Sequence, residues 1–144
     1  MVGIQRTVVI NRPVHEVFGY FADVANDRQW RGEVVKEIAV RGAMGQGAHV
    51  HQKLAAGPFG AAVKADMDVV VYEPPTALVF QVTTGPLRPR VQFRFSPTAS
   101  GTEVSFSIDA PLTGVKKATM GRMAEKSMAA EAAALDNAKR LLET

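Results

Sequence analysis

The chain has 144 residues, 47% hydrophobic and 22% charged, enough for one substantial core and too short for two ordinary domains, so a single domain over residues 1–144 is expected. It has no Cys, which excludes disulfide and thiolate chemistry and fits a reducing compartment. The net charge of +3 is scattered, with Lys116–Lys117 and Lys139–Arg140 the only adjacent basic pairs, so no nucleic-acid footprint exists.

At the N-terminus Val2, Ile4, Val8 and Ile10 alternate with Gly3, Gln5, Thr7 and Asn11, the pattern of a strand with Arg6 as its exception. Pro13 suits the first position of a helix, and Val14, Val17, Phe18 and Phe21 then form an amphipathic stripe. Residues 25–28 turn the chain into a second helical turn ending at Trp30 and Gly32, after which Val34, Val35, Ile38 and Val40 resume an extended course. Further strands are expected at 49–54, 61–73, 78–84, 90–96 and 102–110, each set off by Gly, Pro or Ser turns. Val63, Ala65, Met67, Val69 and Val71 alternate with Lys64, Asp66 and Asp68, and Val91, Phe93 and Phe95 with Arg90, Gln92 and Arg94. One sheet face is therefore strongly apolar. The segment from Val115 to about Glu143 has no proline and is rich in Ala, Met, Leu, Lys and Glu, which predicts one long helix able to cross and cover that face. No apolar run approaches the roughly 18 residues of a membrane span, and the start MVGIQRTVVINRP lacks the order of a signal peptide. A cytoplasmic protein without integral membrane association is the expectation.

The opening VVINRPVHEVFGYFADVANDRQW, the Gly45–Gly47 pair before a strand, YEPP at 72–75, SPTASGTEVSF at 96–106 and the closing helix together resemble the START-like (SRPBCC) superfamily, in its polyketide cyclase/dehydratase and lipid-transport branch. The resemblance spans essentially the whole chain. It implies an α+β helix-grip fold, β-α-α-β6-α, with a seven-stranded curved antiparallel sheet wrapped around a long C-terminal helix and an elongated apolar cavity between them. The superfamily includes carriers, cyclases, aromatase-type enzymes, hormone receptors and chaperone co-activators, so the motifs define the fold more closely than the activity.

Motifs of catalysis are sparse. His49 and His51 share one face of a strand with Lys53; two such His can ligate a metal, but Val50 and Leu54 on the opposite face suit the interior, so the His face is read as solvated. His15 is read as a surface residue, no HExxH or CxxC exists, and no metal is expected. Gly45-Gln46-Gly47 lacks the following helix of a dinucleotide site, so no cofactor is expected either. Asp66 and Asp68 fall on the wet sheet face, and Asp23 and Asp27 at a helix end where Asp commonly caps.

The inward wall is expected to comprise Met67, Val69, Phe80, Val82, Phe93, Phe95, Phe106 and Ile108 from the sheet, Phe21 and Trp30 from the opening helices, and Met120 and Met123 from the closing one. Such a stripe either fills itself as solid core or lines a cavity; the resemblance favours the cavity, and Met suits a wall that adapts to a guest. The inward polar candidates are Gln52, Arg6, Trp30 and Glu131. Phe59, in the loop 57–60, and the loop 85–89 are expected to flank the mouth, since an exposed Phe between Gly and Pro is otherwise poor use of surface. Glu131 lies among alanines on the apolar side of the closing helix. A buried carboxylate must be paired, protonated or wetted, so Glu131 is either half of a buried ion pair, with Arg6 as a candidate cation, or a polar handle for the guest. The function expected is binding of a hydrophobic small molecule: a lipid, polyketide-like or aromatic compound. The alternative is a cyclase or dehydratase acting on a polyketide-like substrate with Glu131 as general acid/base; a protein-interaction role is the third.

Overall fold

The computed structural model describes residues 2–55 and 57–144. The element order is β1 (Val2–Ile10), α1 (Val14–Ala22), a 3-10 turn (Val24–Asn26), α2 (Asp27–Trp30), β2 (Val35–Arg41), β3 (His49–Leu54), a second 3-10 turn (Pro58–Gly60), β4 (Val63–Lys64), β5 (Met67–Glu73), β6 (Ala77–Val82), β7 (Arg90–Pro97), β8 (Thr102–Ala110), α3 (Gly114–Ala133) and α4 (Leu135–Glu143). The strands form one antiparallel sheet in the order β1-β8-β7-β6-β5-β3-β2, with β4 paired to β3 off that path. This is the expected α+β helix-grip arrangement. The first two strands of the chain end up on opposite edges, so α1 and α2 must carry the chain from one side of the sheet to the other.

Two local expectations need correction. The run 61–73 is two strands, because at its middle the backbone bonds outside the regular ladder: Ala65 N–H donates to the Gln52 carbonyl (3.0 Å) and Asp66 N–H to the Thr84 hydroxyl (2.9 Å). The alternation also slips at a bulge between Val69 and Val71, so that Tyr72 packs edge-on against Phe18, ring centroids 5.5 Å apart. A bulge shifts side chains from one face to the other. The long closing helix is present as expected, running through α3 and α4 with only Ala134, itself in helical backbone, between them. In α4, Leu135 and Ala138 are fully buried.

Arg6 does share its strand face with Ile4 and Val8, as the alternation requires, yet it does not reach Glu131. Lying on an edge strand, it extends to α4 and pairs with Asp136 at 2.6 and 2.8 Å, in an exposed position.

The β7–β8 turn presses against the end of β1. Thr102 is fully buried, its hydroxyl donating to the Arg12 carbonyl at 2.8 Å. A Cβ on Gly101 would strike the carbonyl oxygen of Ile10 and lie 2.8 Å from the Asn11 Cα; both are backbone atoms that cannot swing aside. Gly101→Ala is therefore expected to lower unfolding stability by about 1–3 kcal/mol, measured by denaturant titration, although the turn is exposed and far from any candidate chemistry.

Candidate functional site

Between the inner sheet face and α3 lies an open-mouthed cavity of about 570 Å³. Its buried wall includes Met67, Phe80, Val82, Phe93, Phe106 and Ile108. Trp30, Gln52, Met120, Met123 and Glu131 also border it, so these eleven of the residues expected at the wall reach the cavity. Phe21, Val69 and Phe95 do not. They are buried in packed core instead, and Phe21 packs against Trp30, Phe93 and Phe95 with centroids 5.2, 5.2 and 5.8 Å away. Phe59 is absent from the wall and wholly exposed, although Gly57 of its loop and residues 85–89 of the other expected loop do border the cavity.

The polar end of the cavity is built by a single turn of helix. Asp23 accepts a bond from Ala25 N–H (3.2 Å), Asn26 Nδ2 donates to the Tyr20 carbonyl (3.0 Å), and Arg31 N–H donates to the Asp27 carbonyl (2.8 Å). The i,i+4 spacing then brings Asp27 and Arg31 together. Arg31 is the centre of the site. Its Nε and Nη2 donate to Glu131 Oε2 and Oε1, both at 2.8 Å, and its Nη1 donates to Asp27 Oδ2 at 2.9 Å and to Gln52 Oε1 at 3.2 Å. Trp30 Nε1 donates to Asp27 Oδ1 at 3.3 Å. Glu131 is thus half of a buried ion pair, and its partner is Arg31 rather than Arg6.

Two acids share one base in a dry place, and the electrostatics follow. Burial pushes the Asp27 carboxyl up to about 6, a rise opposed by Arg31 and Trp30 and supported by the nearby Glu131 charge. Burial by itself would lower the Arg31 pKa, but the carboxylates of Glu131 and Asp27 outweigh it and hold the guanidinium charged. Asp27 was expected to cap a helix end; that role belongs to Asp23, while Asp27 is buried beside the cavity. Asp27 and Arg31 are the residues that sequence reasoning missed. The available signal was the stretch DRQWR, an acid and a base four apart around the lone Trp.

The His49/His51 face is solvated as expected, with His49 bonded to Asp68 and His51 3.2 Å from Asp66. Among the described residues no group of three His, Cys, Asp or Glu is arranged to hold a metal, and no helix is long and apolar enough to cross a membrane.

The chain belongs to the family described as polyketide cyclase / dehydrase and lipid transport, whose model matches residues 1–143. No curated protein matches it by comparison. Several solved structures share its fold at low identity. The KanY protein, solved by NMR, superposes with a TM-score of 0.78 at 17% identity, covering 99% of this chain and 98% of its own. The di-domain ARO/CYC StfQ from the steffimycin biosynthetic pathway gives 0.76 at 17% identity, covering 99% of this chain and 51% of the longer StfQ. A Thermus thermophilus protein, TTHA0849, gives 0.75 at 17% identity, covering 98% and 95%.

Two measurements probe the cluster. Glu131→Gln is expected to destabilise the fold by about 3–5 kcal/mol, because it leaves the buried guanidinium short of one charge partner. For Asp27 the folded-state pKa, about 6, lies above the ordinary 3.8, so the folded state holds the proton more tightly than the unfolded one. Stability contributed by protonated Asp27 is present at pH 4 and fades as pH rises through 6, by at most about 1.4 kcal/mol per pH unit. Unfolding curves of wild type and Asp27→Asn between pH 4 and 7 should accordingly shift in favour of the variant with rising pH; a pH-independent gap would remove Asp27 as the titrating group.

Proposed function

We propose that the protein binds an apolar small molecule bearing one hydrogen-bond acceptor, with the apolar body along the Met67–Phe80–Val82–Ile108 wall and the acceptor towards Gln52 and Arg31. The observation that carries this reading is the combination of a cavity of about 570 Å³, within the usual size of ligand sites, and a single polar cluster at its buried end. The Gln52 amide has a weak partner, the Met67 sulfur at 3.6 Å, and four of the five guanidinium N–H groups of Arg31 are engaged by Glu131, Asp27 and Gln52. Amide and guanidinium donors with capacity to spare suit a carbonyl or ether oxygen. The family description, which couples lipid transport with polyketide chemistry, supports a guest of this class.

Proton transfer gives the second reading, a cyclase or dehydratase. It rests on Asp27, whose carboxyl titrates near 6 at the cavity wall, in the range useful to a general acid/base. Glu131 is a weaker candidate for proton carrier because both its oxygens accept from Arg31; we assign it the task of holding Arg31. The neighbour StfQ belongs to the steffimycin biosynthetic pathway, and the family couples polyketide cyclisation with dehydration, which makes polyketone substrates the ones to offer first.

The test uses a pair of naphthalene probes, one carrying a ketone and the other none, together with native mass spectrometry of the purified protein. Uptake of both by wild type, at least roughly tenfold weaker binding to a cavity-filling Ile108→Trp variant that still folds, and selective loss of the ketone probe in Gln52→Leu are the expected results. Absence of probe uptake and of any co-purified guest would overturn the binding reading. Consumption of a polyketone, abolished in Asp27→Asn, would move the assignment to the enzyme.

A further inference from the structure

The cavity has a polarity along its length. Its buried end is formed by Asp27, Trp30, Arg31, Gln52 and Glu131, whereas its exposed lining comes from three segments: Val63 and Lys64; Gly85, Pro86 and Arg88; and Met123. These define the mouth. The rim segments, residues 57–65, 83–89 and 113–124, contain Lys64, Arg88, Lys116, Lys117 and Arg122 and not one Asp or Glu. All five basic side chains are exposed. Their number exceeds the whole chain's excess of basic over acidic residues, three, so the rest of the molecule is net acidic; Lys64 and Arg88 border the cavity itself, and the other three sit on the stretch of α3 that supplies Met120 and Met123. Lys64 lies 3.3 Å from Asp66; the other four make no salt bridge among the described residues.

The same segments hold most of the large apolar side chains left in solvent. Phe59 is wholly exposed, Val115 is 80% exposed, Met123 53% and Val63 37%. Phe59 sits at a loop tip with a left-handed backbone, φ 55°, an unfavourable state for a bulky residue. On α3, residues 114–119 are exposed all round and lead directly into Met120 and Met123, which border the cavity.

We propose that the rim docks onto an anionic lipid bilayer, with Phe59 and Val115 entering the headgroup–acyl boundary and the basic collar resting on the phosphates. Basic residues interleaved with exposed apolar ones are what such a surface attracts. A bilayer is favoured over an acidic protein because the exposed apolar side chains come from two separate segments, Phe59 and Val63 from one and Val115 and Met123 from the other. A protein partner would need a shaped pocket for each anchor, whereas a bilayer needs none. Docked this way, an apolar guest passes between cavity and membrane without crossing water. This adds a partner to the reading above, and vesicle binding is measured without a guest, so its failure leaves cavity binding untouched.

The experiment is flotation of the full chain with vesicles of phosphatidylcholine alone or with added phosphatidylglycerol. Binding is expected only with the anionic lipid, falling as salt rises. Lys116→Ala/Lys117→Ala should weaken it roughly thirtyfold, and Phe59→Ser/Val115→Ser should weaken it while leaving the unfolding midpoint unchanged. As a control, Arg28→Glu/Arg140→Glu alters exposed charges on α2 and α4, outside the rim segments, and should keep binding largely intact. No flotation with either vesicle, equal flotation with both, or loss in the control pair equal to that in the rim pair overturns the proposal. Binding of polyglutamate through Lys116 and Lys117 with no vesicle binding also overturns it, in favour of an acidic polypeptide partner.

Discussion

The structure turns on one guanidinium. Arg31 reaches from the end of α2 to Gln52 on β3 and Glu131 on α3, so a single planar group with donors in a fixed fork sets the relative positions of the small helix, the sheet and the covering helix. Removing three ionisable groups from water is costly, and an ion pair of this kind contributes little net stability over a well-packed apolar substitute. What it contributes is geometry: apolar side chains could slide past one another, whereas a bidentate pair is lost on a shift of an ångström. The unequal count, two carboxylates to one cation, leaves Asp27 as the group whose charge is least secure.

That clasp lies beside a continuous aromatic network. Phe93 stacks almost parallel to Phe95 (7° between planes) and meets Phe106 edge-on at 5.2 Å. It also borders the cavity while Phe95 does not. The boundary between solid core and cavity therefore runs across single side chains, Phe93 and Trp30, and the choice between core and cavity is made ring by ring. Behind that line Phe21, Val69 and Phe95 fill space; in front of it Met67, Phe80 and Ile108 leave it open.

Period-two alternation and the breaker residues were enough to read the succession of strands along the chain and the covering helix, because burial on one face imposes that period on every strand. They were silent on the bulge at Val69–Val71, which arises from backbone bonding and packing that no local pattern encodes. Glu131 stood out as a charge on an apolar helix face, and its burial followed. Its partner did not, since Arg6 satisfied the strand alternation and Arg31, one hundred residues from Glu131 along the chain, belonged to a turn with no period at all. Asp27 was hidden by a neighbour of the same type: two Asp four apart at a helix end look alike until the fold buries one and leaves the other to cap.

Trp30 is the only tryptophan in the chain, 2% exposed, bordering the cavity and donating its indole N–H to Asp27. An indole's emission depends on the polarity around it and on nearby charge, so the protein carries its own spectroscopic gauge at the one place where the cavity wall, the Asp27 carboxyl and the Arg31 clasp all meet. Ultraviolet emission from the unlabelled chain reports on that junction without interference from any second fluorophore of its kind.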